Sequence, residues 1–524
     1  MARVYNKWAV LGVLATALFM INLDVTIVNI ALPSLMDDLS ASLADAEWVL
    51  NAYVLVFAVL LITLGRLGDL FGRKRFFVGG LILFTAASLL CGLAPGIGWL
   101  VAARGLQAVG GAAMMPATLS ILNVTFQGGQ RGMAMGIWGA VAGTASALGP
   151  IIGGVLVDGL GWQSVFLVNI PVGLAAVYAA LKMVSESREP SASRRIDFPG
   201  IVTASVALGS LTYALVEGQA YGWSSPLILG LFGLAAAAMT AFIITERKAA
   251  APLIDLKLFR NVSFSAGNFL GMLLMFGLIG IVFLLVLYLQ AVRGYSAIET
   301  GLAVLPMPLT LMVVAPLAGR LTDRINMRFV LSAGMLLVAV ALYFLSQITP
   351  ETTRQALIIP LMIAGLGMGL VMAPLGAVVM ASAPVNKSGA ASGILTTLRQ
   401  VGATLGISVL GAVLQFKLVD NLTTFFATIP FMPQSAKDAI LEGVSQGGMG
   451  GALTADAPDF LQALIAQVMS EQFTLALSSA MTVAMFICIG GAAVALLISY
   501  HPRPQGDVAA AVGTAQVVNL ISPH

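Results

Sequence analysis

Charge is scarce in this chain. Of its 524 residues, 9% are Asp, Glu, Lys or Arg and 59% are hydrophobic. A soluble domain carries roughly 25% charged residues, so composition alone excludes a water-soluble globule. Histidine is scarcer still: His501 and His524 are the two present, both in the C-terminal tail. Cysteine stops at Cys91 and Cys488, each inside an apolar run, where packing is a better reading than a disulfide. No His/Cys metal cluster, Cys–His dyad or Ser-His-Asp triad can be assembled among the apolar runs. Metal centres and hydrolytic or redox catalysis drop out, and the chain does not read as an enzyme. No soluble segment carries a phosphate-binding loop, which excludes an autonomous ATP-driven pump. "GLGMGL" (365–370) lies inside an apolar run without a preceding strand and reads as helix packing.

What is abundant is apolar runs of about 20 residues, the length that crosses a hydrocarbon core of about 30 Å as a helix. Fourteen are expected, at 8–30, 48–65, 76–94, 98–120, 133–156, 165–183, 199–217, 226–245, 262–290, 299–318, 329–347, 356–380, 390–414 and 472–499. The first follows Arg3 and Lys7 but is too long for a signal-peptide core and lacks a small-residue cleavage site, so it is read as a retained span. With the N-terminus in the cytoplasm, the Lys and Arg residues fall inside except Arg293, Arg354, Lys417 and Lys437; Arg104 and Arg399 lie within spans. That asymmetry predicts cytoplasmic N- and C-termini. The longest outside segment, 416–471, contains "DFLQALIAQVMSEQ", whose Phe460, Leu461, Leu464, Ile465 and Val468 share a face and suggest a short amphipathic surface helix.

The chain repeats itself. "GRLGDLFGRKR" (65–75) after span two matches "GRLTDRINMR" (319–328) after span ten, and "GAAMMP" (111–116) matches "GLVMAP" (369–374). Spans five and thirteen align without a gap: Gly132 with Gly389, Gly136 with Gly393, Leu148 with Leu405, Gly149 with Gly406 and Gly154 with Gly411. The matched spans cross in one direction, so the halves are parallel repeats. The expected division is residues 1–184 as one six-helix bundle, 185–261 as two inserted helices with basic linkers, 262–500 as the second bundle, and 501–524 as a tail. Two such bundles rocking about a shared midplane site describe an alternating-access transporter.

Asp24 and Arg104 are the conspicuous charges inside the runs. Each lies about six residues, or about 9 Å, from the same end of its helix, so an ion pair or a shared water cavity follows. A lone charge in lipid costs at least about 2.5–3.5 kcal/mol, and both should face inward. Asn22, Thr26 and Asn29 occupy nearly the opposite face of helix one, which leaves open which face lines a cavity.

With "LDVTIVNIALP" (23–33), "GRLGDLFGRKR", "RGLQAVGGAA" (104–113) and "GTASALGPIIGG" (143–154) on the page, the chain resembles the drug:proton antiporters of the major facilitator superfamily that have fourteen transmembrane segments. "WQSVFLVNIPVG" (162–173) and "LRQVG" (398–402) add to the resemblance, with Gln163 and Ser164 standing where Arg-Trp is usual. The resemblance implies an all-α major facilitator fold in the plasma membrane, or the inner membrane of a bacterium. It implies Asp24 and Arg104 as proton-coupling residues. Gly65, Asp69, Gly72, Arg73, Lys74 and Asp323 would form a cytoplasmic latch. Gly143, Gly149, Pro150, Gly153 and Gly154 would mark the antiporter helix. Asn22, Asn29, Tyr53, Gln107, Trp138, Tyr288 and Arg399 are candidates for the substrate cavity.

Expected partners are a small amphipathic substrate, protons and the lipid bilayer. A periplasmic adaptor stays open, and neither nucleic acid nor any cofactor beyond the proton gradient is implied. The substrate reads as monovalent, zwitterionic or neutral, since no second unmistakable mid-membrane carboxylate stands ready for a dication. Export of an endogenous metabolite or lipid-like compound, symport or import, and a non-transporting sensor or scaffold remain alternatives.

Overall fold

In the computed structural model, residues 6–41, 43–126, 129–187, 197–249, 252, 254–321, 325–384, 387–427, 437, 441 and 459–499 are described. The long helices in chain order are α1 (Lys7–Leu39), α2 (Leu43–Phe71), α3 (Arg73–Gly92), α4 (Ile97–Thr125), α5 (Gly129–Leu160) and α6 (Ser164–Met183). They continue as α7 (Phe198–Tyr221), α8 (Pro226–Lys248), α9 (Val262–Val292), α10 (Ile298–Arg320) and α11 (Met327–Leu345). The last are α12 (Arg354–Ser382), α13 (Ser388–Ala427) and α14 (Asp459–Ala495). Thirteen are long and apolar enough to cross a membrane; α5 is the fourteenth long helix, apolar at Ile151–Leu160. No strand occurs among the described residues.

Helix starts are set locally by side chains that accept orphan backbone N–H groups. Asn6 takes the N–H of Trp8, Asp197 that of Gly200, and Ser225 that of Ile228. Asn261 caps Ser263 and Phe264, and Ser296 forms a reciprocal box with Glu299. Pro199 and Pro226 sit in first turns, where a missing N–H costs nothing.

The helices overrun their apolar cores. α1 continues to Leu39 rather than residue 30, and α13 to Ala427 rather than 414. The stretch expected to be a separate surface helix at 459–472 is the first part of α14. Hydropathy marks where lipid ends, whereas a helix persists for as long as its backbone bonds and side contacts hold.

Packing reproduces the repeat. α1 packs on α5, α2 on α4, α3 on α4 and α3 on α6; eight helices later α9 packs on α13, α10 on α12, α11 on α12 and α11 on α14. α7 and α8 pack on each other, with α7 leaning on α2 and α13. Two six-helix bundles with an inserted pair result. The bundles meet along α5–α10 and α2–α13, which the repeat exchanges.

Glycine makes those seams close. A Cβ on Gly319 would lie 2.2 Å from the Gly132 carbonyl oxygen, one on Gly136 2.5 Å from that of Ala315, and one on Gly143 2.4 Å from Leu311 Cδ2. Backbones approach this nearly only where a side chain is absent. Gly319→Val should therefore force α10 off α5. The expected outcome is a loss of about 1–3 kcal/mol in stability, read as a fall in thermal midpoint of the purified protein.

The basic loops predict an orientation that labelling tests. Cys91 and Cys488 are buried, so engineered surface cysteines can be read against a quiet background. With cytoplasmic termini, Glu351→Cys should label with a membrane-impermeant maleimide in intact cells. Arg75→Cys, whose site is 68% exposed, should label only after permeabilisation.

Candidate functional site

Five helices of the N-terminal bundle converge on one carboxylate. Asp24 of α1 is completely buried, and Arg104 of α4 nearly so. The Arg104 Nη1 group donates to Asp24 Oδ2 and to Gln107 Oε1 at 2.7 Å. Its Nε donates to the Val49 carbonyl of α2 at 3.1 Å. Gln107 Nε2 donates to Asp24 Oδ1 (2.8 Å) and to Ser88 Oγ of α3 (2.8 Å). Asn169 Nδ2 of α6 donates to the same Asp24 oxygen at 3.2 Å.

The guanidinium also lies 4.4 Å from the Tyr53 ring centre and 5.8 Å from that of Phe166, a cation–π arrangement that helps an ion keep its charge away from water. Around the network runs an apolar shell of Leu23, Ile27, Val49, Leu100, Trp162 and Phe166. A buried pair is tolerable only when its remaining donors and acceptors are met, and here both carboxylate oxygens are.

This geometry redistributes the sequence candidates. Gln107 and Tyr53, expected in a substrate cavity, are buried inside the N-terminal bundle as partners of Arg104. The Gln107 amide bonds to both members of the ion pair, while Tyr53 offers Arg104 its ring face and leaves its own hydroxyl without a hydrogen-bond partner. Tyr288 is buried and donates to the Thr349 carbonyl at 2.6 Å, tying α9 to the turn after α11. Trp138 is buried and donates to Thr118 Oγ1 at 3.2 Å. Arg399 is buried in α13 beside α9. On α1 the Asp24 face packs inward, whereas Val25 is 37% exposed and Asn29 is exposed, with Asn22 between. The uncovered face is that of the asparagines. Ser88 and Asn169 are not among the sequence candidates; each is uncharged and shares its apolar helix with other polar residues, such as Thr85 in α3 and Ser164 in α6, so nothing marks it out.

Of the residues expected to form a latch, Asp69 makes a contact that crosses between the bundles. Asp69, at the end of α2, takes Arg73 Nε and Nη2 at 2.8 Å each. Its second oxygen accepts the backbone N–H of Ala390 at 3.1 Å, in the first turn of α13 in the other bundle. A carboxylate at a helix N-terminus is favoured by the helix dipole. Gly72 has φ +124°, a left-handed backbone for which glycine is suited. It allows Arg73 N–H to reach the Ser187 carbonyl and Lys74 N–H the Glu186 carboxylate. Gly65 is buried in α2; Asp323 lies outside the described residues.

At the same end, Lys387 pairs with Asp255 of the α8–α9 linker. Burial pushes the Asp255 carboxyl up, but the Lys387 ammonium and the Lys257 backbone N–H outweigh it and hold it below the usual carboxylate range. A depressed folded-state value means the contact's stabilisation is present at neutral pH and is lost as pH falls through that lowered value.

The glycines of 143–154 divide between two neighbours. Gly143 and Gly154 face Leu311 and Ile298 of α10, while Gly149 and Gly153 face Thr26 and Ile27 of α1. Pro150 lies within the helix; its side chain is outside the described set. A cavity of about 420 Å³ opens elsewhere, at the α7–α13 corner between Trp223, Val409 and Phe416, with nearly all of its wall apolar. Among the described residues, no three His, Cys, Asp or Glu side chains gather as a metal site.

Removing one ion-pair partner leaves the other buried and unpaired, a loss of about 3–5 kcal/mol. Arg104→Met is therefore expected to destabilise strongly, and the Asp24→Leu/Arg104→Met double variant less than either single change. Denaturation of the four proteins in a thermodynamic cycle checks this.

Comparison with known proteins places these features. The Major Facilitator Superfamily sequence profile matches residues 14–407. The tetracenomycin C resistance and export protein of Streptomyces glaucescens is 37% identical over 493 residues, covering 94% of this chain and 91% of that protein. The methylenomycin A resistance protein of Bacillus subtilis is 37% identical over 410 residues, covering 78% of this chain and 87% of its own length. Among solved structures, the human organic anion transporter MFSD10 (TETRAN) superposes with a TM-score of 0.59 over 92% of this chain and 99% of its own. Its identity is 14%, so the likeness is one of fold.

Proposed function

This chain belongs to the major facilitator superfamily, as a multi-pass plasma-membrane transporter rather than an enzyme, and from that premise we propose that it exports small amphipathic compounds in exchange for protons. The observation that carries the coupling is a carboxylate sealed at 0% exposure among N–H donors. Asp24 would bind the proton, and Arg104 would hold the deprotonated form until a conformational change separates them.

The exchange runs in a cycle. With Asp24 ionised, Arg104, Gln107 and Asn169 grip it and fix α1, α4 and α6 in one arrangement. A proton arriving from outside neutralises the acid, weakens the Arg104 contact and frees α1 to shift. Asp69 would close the cytoplasmic side by capping α13, and breaking its bond to Ala390 would open that side. The resistance and export roles named for the relatives support the outward direction of transport.

In everted vesicles acidified inside, ethidium, Nile red and fluorescein are added in turn, and whichever is transported should raise the internal pH in proportion to its uptake. Asp24→Asn should reduce uphill uptake to about the level of vesicles lacking the protein while leaving downhill counterflow measurable. Uphill transport at full rate in Asp24→Asn would refute the proton role.

A further inference from the structure

Arg399 differs from the other buried cations. Among the described residues, the buried charged side chains are Asp24, Asp69, Arg73, Arg104, Glu246 and Arg399. Arg104 has Asp24 and Arg73 has Asp69, while Glu246, at the end of α8, accepts the Ile254 N–H. Arg399 is 8% exposed, and its buried Nε and Nη2 make no hydrogen bond. Orphaned donors on a permanent cation in an apolar wall are costly. None of the three buried acids can relieve it, since each is engaged on another element.

Its position points toward the path between the bundles. α13 turns 100° per residue. Ser392 looks across the seam, with its hydroxyl 3.0 Å from the Pro116 carbonyl and 3.1 Å from Ser120 Oγ of α4. Seven residues later, Arg399 returns to within about 20° of that face, about 10 Å further along the helix. Gly402 and Gly406, turned further round, press on the Met272 and Phe276 carbonyls of α9. A Cβ on Gly271 would stand 3.6 Å from Arg399 Cγ.

Arg399 therefore leaves α13 on the side between α9 and the seam. It lies nine residues, or about 14 Å, from the Asp69-capped start at Ala390, near mid-depth of a core about 30 Å thick. One turn before Gly271 on α9, buried Asn268 donates to the Phe264 carbonyl at 2.8 Å but leaves its own Oδ1 without a partner. α13 thus offers a forked cation, and α9, one turn from the glycine that borders it, a spare acceptor.

We propose that Arg399 anchors an anionic group of the transported compound, so that the cargo is an amphipathic organic anion whose carboxylate, sulfonate or phenolate is taken by the guanidinium fork. The inference rests on the export reading and specifies its substrate class. The fork matches a planar carboxylate through two parallel N–H donors. An anion leaving in exchange for an entering proton also moves positive charge inward on both legs, so an inside-negative potential drives the exchange.

The test uses the purified full-length protein with anthraquinone-2-carboxylate and its uncharged methyl ester, each titrated by tryptophan quenching. The wild type should bind the carboxylate about tenfold more tightly than the ester, the order expected for one charge-assisted contact. In Arg399→Gln that ratio should fall to about one with ester affinity unchanged, which also shows that the variant is folded; Arg399→Lys should keep part of the preference. No preference in the wild type, or an unchanged ratio in Arg399→Gln, overturns the proposal. So does loss of the preference when gluconate is replaced by chloride at physiological concentration, since the site would then hold an inorganic ion. The export reading fails separately: a protein lacking the preference that still exchanges ethidium for protons loses the anion site alone. One that keeps the preference while Asp24→Asn pumps at full rate loses the proton coupling alone.

Discussion

The contact between Arg104 and Asp24 constrains the rest of the N-terminal half. Two charges removed from water lose hydration that their mutual attraction alone does not restore. The half supplies what is missing from four other places: Gln107, Asn169, Ser88 and the Val49 carbonyl. Meeting that demand brings α1, α2, α3, α4 and α6 to one point and fixes their relative rotation, because a hydrogen bond at 2.8 Å tolerates little sliding. Under the proposed exchange, bistability would belong where side chains are absent and backbones meet, at the glycine-lined α5–α10 and α2–α13 seams.

The two halves share a packing plan and diverge in chemistry. The main helix pairings of the first bundle return in the second, yet among the described residues the second has no counterpart of the Asp24–Arg104 pair. Its buried charge is a lone guanidinium, on the helix that corresponds to α5 rather than to α4. A duplicated scaffold thereby carries two different charge arrangements: one half holds an internally neutral ion pair, the other a buried guanidinium whose Nε and Nη2 have no hydrogen-bond partner. Under the proposed exchange, proton and cargo would sit on different halves, and each would bias the same seam without competing for the same atoms, as reciprocal coupling between two sites requires.

Much of this is legible in the sequence where a residue is costly out of place. Asp24 and Arg104 announce themselves because an ion in an apolar run needs a partner, and matched depth identifies it. The repeat is legible because Gly136 and Gly393, or Gly149 and Gly406, serve equivalent close approaches. Legibility fails where the partner is backbone or the signal is generic. Nothing in the neighbourhood of Asp69 shows that its second oxygen will meet an N–H 321 residues away. Ser88 and Asn169 look like ordinary helix polars. Gln107 and Tyr53 carry the side chains a cavity would use, and only their position around Arg104 shows them turned inward. Helix ends at Leu39 and Ala427 escape for another reason, since hydropathy is blind to a polar helix continuing past the lipid.

α5 supplies a mechanical link between the seam and the acid. Gly149 and Gly153 bear on Thr26 and Ile27 of α1, two and three residues beyond Asp24, while Gly143 and Gly154 bear on Leu311 and Ile298 of α10 in the other half. A Cβ at Gly149 would lie 2.0 Å from Thr26 Oγ1, so α5 and α1 touch with no slack to absorb motion. Displacement of α10 against α5 is then transmitted to the turn of α1 that presents Asp24 to Arg104. Because the carboxylate in this arrangement has both oxygens engaged and no exposure, a proton reaches it only when that turn moves. Under the proposed exchange, access to the acid and opening of the seam would thus be the same event, and contact geometry along a single helix would let proton and cargo bias one equilibrium in opposite senses.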